Sequence, residues 1–282
     1  VTLTVLQTGP LALVQDLGRP GLAHLGVGPS GAADRGALRR GNRLVGSPEG
    51  AAGIEVLLGG LSVRTDANHL VAVTGAPGPV TVDGRPEGHS TLVRLHRGQT
   101  LSIGVPPRGL RSYLAVRGGI AVPPVLGSRS YDVLARLGPP PLQEGDALPV
   151  GTETDPLPDT DLAPLHPEDT RLPLLPGPRT DWLDGGLAAL ATTWTVATDS
   201  DRIALRLHGP RLTRRQQELP SEGLLPGAVQ LPPDGQPVLF LADAPVTGGY
   251  PVVAVVPRAA LDRAGQLRPG ERVRMTSVIT TR

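Results

Sequence analysis

The sequence has no cysteine. Thiol nucleophiles, iron–sulfur clusters, cysteine-ligated zinc and disulfides are therefore excluded. A chain without disulfides suits a reducing compartment, and a cytoplasmic location is the expectation. Lysine is equally absent: all 27 residues counted as lysine plus arginine are arginine. A Walker-type phosphate loop needs its lysine, as do Schiff-base and pyridoxal phosphate chemistry. Biotin and lipoate also attach to lysine, so this chain carries neither. Aromatic residues make up only 2%. That leaves no stacking platform for bases, and Leu, Val, Ala and Ile must build the core. An excess of either charge is missing too. The net charge is +1, and basic residues meet only in short pairs such as Arg39-Arg40 and Arg214-Arg215, so nucleic acid is not an expected partner. Long apolar runs are missing, so no membrane span is expected. The opening Val1-Thr2-Leu3-Thr4-Val5 alternates like a strand rather than reading as a leader.

What is abundant is glycine (37) and proline (32). They punctuate short apolar runs, the pattern of a turn-rich, mainly β protein. Strands are expected at 1–7, 52–58, 61–64, 70–74, 91–95, 100–105, 113–117, 194–198, 204–207, 238–243 and 252–256. Asp83-Gly84 between Val80-Thr81-Val82 and Arg85 is a two-residue hairpin signal. Ser30 is placed to cap a helix whose apolar side is Ala32, Ala33, Leu38 and Leu44, ending near Val45-Gly46. Shorter helices are expected at 183–191 and 258–265. One phrase recurs: Arg97-Gly98-Gln99-Thr100-Leu101, Glu144-Gly145-Asp146-Ala147-Leu148 and Pro269-Gly270-Glu271-Arg272-Val273. Each reads as a tight glycine turn, a polar residue and a strand. Proline and acidic residues crowd the middle of the chain. The organisation expected is a β-rich lobe over 1–150, an exposed connection over 151–180 and a C-terminal part over 181–282.

Several residues bear chemistry. Asp16 and Arg19 share a glycine-rich loop, where they either clamp the loop or grip a substrate carboxylate. Ser30 and Asp34 flank a helix start, suited to capping or to an anion. Ser30 lacks the spacing of a nucleophile elbow. Asn42 and Glu55 are expected in a buried structural network. Gly118 and Gly119 permit close backbone approach or positive φ. Arg129, beside Ser128, is a ligand-binding candidate. The densest constellation is Gln230, Asp243, Thr247, Gly248, Gly249 and Tyr250. There Asp243, Thr247 and Tyr250 are candidate catalytic groups, and Gln230, Gly248 and Gly249 line substrate. Of the histidines His24, His69, His89, His96, His166 and His208, none has metal-ligand spacing. His24 lies between two motif loops.

Five stretches in order carry a resemblance: Gln15-Asp16-Leu17-Gly18-Arg19; Pro29-Ser30-Gly31-Ala32-Ala33-Asp34 with Asn42-Arg43-Leu44-Val45-Gly46 and Glu55; Tyr113 to Ile120 with Leu126-Gly127-Ser128-Arg129-Ser130; Gly227 to Pro237; and Asp243 with Thr247-Gly248-Gly249-Tyr250-Pro251. Together they resemble the biotin-dependent carboxyltransferase family, also described as the allophanate hydrolase subunit 2 or KipA family. Departures occur at Gly41, Tyr131, Ile203-Ala204 and Val246. The resemblance implies cyclophilin-like β-barrel lobes with a few short helices. It further implies the C subunit of a bacterial ATP-dependent 5-oxoprolinase, opening 5-oxo-L-proline to L-glutamate. ATP would be used by the complex and bound partly or wholly by a partner. The implied partners are a B-subunit-like (KipI-like) protein and an A subunit. Asp243 would then be a base, Arg side chains would hold carboxylate or phosphate, and glycine-rich amides would steady an oxyanion. Two other readings stand beside this. One is a carboxyltransferase acting on urea or a similar amide, with biotin supplied by another chain. The other is a non-catalytic antagonist of a KipI-like kinase inhibitor.

Overall fold

The computed structural model describes residues 1–164 and 171–277. His166 and part of the 151–180 segment lie outside the described residues. The chain is mainly β, with three short α-helices among the described residues, and divides into two compact units. The first comprises Val1–Arg19, Ser30–Asp132 and Arg136–Pro167; the second comprises Pro20–Pro29, Val133–Ala135 and Glu168–Arg282. Two short stretches, at 20–29 and 133–135, group with the later part of the chain.

In the first unit two antiparallel sheets enclose one core. The six-stranded sheet runs Ala147–Pro149, Thr2–Thr8, Leu61–Thr65, Thr100–Ile103, Val80–Val82, Arg85–Glu87. The five-stranded sheet runs Leu11–Gln15, Gly53–Leu57, Arg111–Val116, His69–Gly75, Val93–Leu95. Alternate residues such as Leu3, Val5, Val63, Ile54, Val56, Leu114 and Val116 fill the space between, as a period of two requires. The other face of the five-stranded sheet carries helix Arg35–Leu44. Ala32, Ala37 and Leu38 pack on Tyr113, and Leu44 and Val45 pack on Ala72 and Ala115. Strand Arg111–Val116 is buried at every position, which is why Tyr113 to Val116 reads as an unbroken apolar run. Gly41 sits where an added Cβ would come within 3.0 Å of Ala115 Cβ, so the helix lies unusually close to the sheet.

The second unit contains a closed barrel of strands in the order Arg171–Pro176, Val252–Val255, Ala228–Gln230, Val238–Phe240, Ala204–His208, Thr193–Val196, Arg272–Ser277. A parallel pairing of the first with the last closes it. Every barrel strand therefore belongs to this unit, and the barrel is complete within it. Leu172, Leu174, Trp194, Val196, Leu205, Leu207, Val229, Leu239, Val253, Val273 and Met275 fill its interior. Strand Arg171–Pro176 corrects the reading of 151–180 as connection throughout. Its prolines suggest a linker, yet Leu172 and Leu174 alternate into the core.

The helix start is also corrected. Asp34, not Ser30, is the N-cap: its Oδ1 accepts the Ala37 amide at 2.7 Å. The Asp83-Gly84 hairpin forms, with φ of 48° and 78°. The three recurrent phrases form one turn three times over. Gly98, Gly145 and Gly270 all have positive φ. The amides of Gln99, Asp146 and Glu271 donate back three residues, to His96, Gln143 and Arg268. Their side chains accept the amides of those same residues at 2.9, 2.8 and 2.9 Å. Each glycine amide donates to a distant strand, at Thr65, Val5 and Val196.

Gly118 ends strand Arg111–Val116 with φ 93°, and a Cβ there would collide with the Gly151 carbonyl oxygen. Gly118→Ala should therefore lower the unfolding free energy by about 2–4 kcal/mol, read by urea denaturation. A change within experimental error would refute this close approach.

Candidate functional site

In the first unit, the loop that follows Arg111–Val116 folds back at Val125–Ser128. Its tip is Leu126 and Gly127, with φ of 50° and 78°. Asp16, just past strand Leu11–Gln15, is its hub. Asp16 Oδ1 accepts the Gly18 amide at 2.7 Å and the Ser128 and Ser130 hydroxyls at 2.6 Å each. Asp16 Oδ2 accepts the Arg129 amide at 2.6 Å. A carboxylate receiving four donors fixes the loop in one conformation. Of the two readings of Asp16, the geometry selects the clamp.

Arg19 threads beneath this loop and is 2% exposed. Its Nε donates to the Val125 carbonyl at 3.3 Å and its Nη2 to the Ser130 carbonyl. Its Nη1 is buried and has no partner among the described residues. Arg129 is half-buried, its Nε donating to the Val122 carbonyl at 2.7 Å. Both guanidinium groups are thus held by neutral carbonyls, and neither is paired with a carboxylate among the described residues. Such cations retain donors that match a carboxylate or phosphate. Ser30 is fully buried with φ 50°, and its hydroxyl donates to the Tyr131 carbonyl at 3.3 Å. The same carbonyl accepts Gln15 Nε2 at 2.8 Å. The backbone, not the side chain, of residue 131 is what these contacts use. Asp16, Arg19, Ser30 and Arg129 are therefore all joined to the 128–131 segment.

The second unit holds the other candidates, and they separate into two groups. Gln230 is buried and donates to the Tyr250 carbonyl at 2.8 Å. Gly248 lies against it; a Cβ there would come within 2.6 Å of Gln230 Nε2. Thr247–Gly248 pairs with Glu222–Gly223, and Glu222 forms an ion pair with Arg179. The Arg179 guanidinium lies 5.8 Å from the Trp182 ring centroid. Thr247 and Gly249 are exposed, as is the Tyr250 side chain at 45%.

Asp243 stands elsewhere. It is fully buried and faces Arg202, with Arg202 Nε donating to Oδ2 at 2.8 Å and Nη2 to Oδ1 at 3.1 Å. The Val133 amide also donates to Oδ2, at 3.1 Å, and the Asp243 amide returns to the Arg202 carbonyl. This corrects its assignment as a base. A carboxylate with both oxygens bound by a buried guanidinium and no solvent access is an anchor, not a proton acceptor.

Glu55 belongs to a buried network, as expected. Its Oε2 accepts the Tyr113 hydroxyl at 2.8 Å and the Ala33 amide at 3.0 Å, and Arg111 lies 3.4 Å from Oε1. Tyr113 in turn accepts the Asp34 amide at 2.8 Å, so this network sets the 30–34 loop. Asn42 Nδ2 donates to the Glu49 and Ala51 carbonyls. Burial, then the charges of Glu55 and Asp34, push the Tyr113 phenol well above its usual value of 10.0. The folded protein thus keeps a proton that the unfolded chain has lost above pH 10. Stability present below that pH should fall as pH rises towards the folded pKa. With lysine and cysteine absent, neither masks this alkaline limb. Denaturation at pH 9 to 11 should show that slope, and Tyr113→Phe should flatten it. An unaltered slope would assign it to other groups.

Among the described residues His24 Nδ1 contacts only the Gly21 carbonyl, at 3.2 Å, and gains no role from the structure. Among the described residues no cluster could hold a metal ion, and no helix is long and apolar enough to cross a membrane. Sequence reasoning missed Arg202 and the acceptor role of Ser130. A buried aspartate at the end of an apolar strand demands a cation, which is the signal that could have found Arg202.

The carboxyltransferase domain, subdomains A and B, matches residues 25–277. The chain is 36% identical to the 5-oxoprolinase C subunit of Escherichia coli K12, over 96% of this chain and 89% of that protein. It is 34% identical to the Haemophilus influenzae protein of the same name, covering 97% and 90%. Against urea amidolyase of Lachancea kluyveri it is 30% identical over 97% of its length, but spans only 17% of that protein. Among solved structures it superposes on the Kluyveromyces lactis urea amidolyase with a TM-score of 0.89 at 28% identity, covering 98% of this chain and 19% of that one. The TTHA0988 structure gives a TM-score of 0.90 at 35% identity, covering 98% and 56%. With two β units of this architecture and a match over most of its length, the chain belongs to the carboxyltransferase domain family, subdomains A and B.

Proposed function

We propose that this chain is the C subunit of an ATP-dependent 5-oxoprolinase that opens 5-oxo-L-proline to L-glutamate. The observation carrying this reading is the match to a 5-oxoprolinase C subunit over 96% of this chain and 89% of its relative. The substrate is a cyclic amide bearing a carboxylate. Its amide bond resists water, so the complex spends ATP: the lactam oxygen takes the terminal phosphoryl group and ADP leaves; water adds to the activated carbon, the ring C–N bond breaks as the nitrogen takes a proton, and a second water cleaves the resulting acyl phosphate to glutamate and inorganic phosphate. The unpaired donors of Arg19 and Arg129 suit the substrate carboxylate or the transferred phosphate. In the second unit, the exposed Thr247, Gly249 and Tyr250 are the candidates most open to a ligand. With no lysine, and with Asp243 held by Arg202, nucleotide binding and proton transfer fall partly or wholly to the A and B subunits.

The test is reconstitution. This chain, a B-subunit-like partner and an A subunit should together release glutamate from 5-oxoproline and ATP, and omission of this chain should abolish release. No glutamate from the three together would sink the reading. Arg129→Gln should raise KM for 5-oxoproline about 10- to 100-fold with a smaller change in kcat, the loss of one or two charge-assisted bonds. An unchanged KM would remove Arg129 from the site.

A second reading, carboxyl transfer to urea or a similar amide, is favoured by the match to urea amidolyase. Biotin would then arrive on another chain, since none can attach here. Carboxylation of urea with a biotinylated partner, and no glutamate in the first assay, would select it.

A further inference from the structure

A second basic site lies in the first unit, where strands His69–Gly75 and Val93–Leu95 pair at the edge of the five-stranded sheet. The cleft there encloses about 360 Å³. Two guanidinium groups, Arg94 and Arg117, and two imidazoles, His69 and His96, line it; no carboxylate does. Leu70 pairs with Arg94 and His69 with Leu95, so Leu70 and Arg94 share one face of the sheet, while His69 and Leu95 lie on the other.

Arg117 is held rigidly. Its Nη1 donates to the Val45 and Gly46 carbonyls at 2.9 and 3.0 Å, and its Nη2 to the Asp155 carbonyl at 3.0 Å. Three neutral acceptors position the guanidinium and leave its charge uncompensated, which is preorganisation for an anion. Arg94 is exposed and its side chain forms neither a hydrogen bond nor an ion pair among the described residues. His69 Nε2 is buried without a partner among the described residues. Burial lowers the pKa of His69, which suits a neutral N–H donor. The one acid whose charge His69 feels, Asp66, is engaged by the Thr2 amide and hydroxyl at 2.8 and 2.9 Å. A solvated surface patch would show neither an anchored guanidinium nor a buried open nitrogen.

We propose that this cleft is a binding site for the phosphate or pyrophosphate group of a small molecule, with Leu70 walling its apolar part. A dianion matches two arginines; the volume exceeds what one phosphate fills and suits a phosphorylated organic ligand. The proposal does not depend on the 5-oxoprolinase reading.

The probe is pyrophosphate, titrated calorimetrically into the whole chain at constant ionic strength set with sodium chloride. A site independent of Arg19 and Arg129 should be seen. The Arg94→Gln, His96→Gln double variant should bind about tenfold or more weakly, while Arg129→Gln should bind as the parent does. Both replaced side chains of the double variant are exposed, so folding is preserved, and the single variants serve if the double is not. Absence of heat at millimolar pyrophosphate, or equal affinity in parent and double variant, would overturn the proposal. So would a loss confined to Arg129→Gln, which would place the anion at the 122–130 loop.

Discussion

Replacing Asp243 with alanine should lower the unfolding free energy by about 3–5 kcal/mol. The mechanism is the charge left behind. Arg202 is 3% exposed and Asp243 fully buried, so the variant strips a desolvated guanidinium of the carboxylate that binds it at two nitrogens. The Val133 amide loses its acceptor at the same time. Arg202→Met should cost a similar amount for the mirror-image reason, with a buried carboxylate deprived of its guanidinium. The pair Arg202→Met, Asp243→Leu should recover much of either loss, because an apolar pair needs no desolvated ion. Urea denaturation of the parent, Asp243→Leu, Arg202→Met and the pair forms the double-mutant cycle. Additive losses in the double variant would show that the two side chains do not act as a pair.

Asp16→Ala should cost about 3 kcal/mol or more, since two hydroxyls and two amides lose one acceptor group. Asp16→Asn should fall between the two. Asparagine can keep an oxygen for Gly18, Ser128 and Ser130, but its amide nitrogen would face the Arg129 N–H, donor against donor. A second readout separates clamp from stability alone. The Val122–Ser130 loop should become cleavable by a protease in Asp16→Ala under native conditions, and 5-oxoproline turnover in the reconstituted complex should fall with it. Full protection of the loop in a destabilised variant would show that Asp16 does not hold it.

Many strand positions and several turns were legible in the sequence, because their causes are local. Asp83-Gly84 needs only two residues that accept positive φ, and the apolar runs over 238–243 and 252–256 announce buried strands. Helix Arg35–Leu44 was legible in its body but not at its start. Ser30 and Asp34 both have cap chemistry, and the choice depends on the Tyr113 hydroxyl and Glu55 fixing the 30–34 loop. Strand Arg171–Pro176 was hidden because its pairing partners come much later in the chain. The site behaved likewise. Asp16 and Arg129 could be singled out as chemistry-bearing, yet the role of Asp16 is decided by Ser128 and Ser130 across a long loop. Asp243 was misread for the same reason: strand pattern shows that it lies at a strand end, not that Arg202 meets it there.

The thrice-used glycine turn has a consequence for how the chain comes to be folded. Most of each turn is closed by residues within three positions of one another, so it can form on the timescale of local loop closure. Its remaining bond, from the glycine amide, reaches a strand far away in sequence. Each turn is thus a small prebuilt piece carrying one directional tie to a distant partner. A β topology of this kind folds slowly because long-range pairing must be searched for. Three ready-made turns, at Gly98, Gly145 and Gly270, reduce that search, since docking one amide sets the register of the strand that follows it.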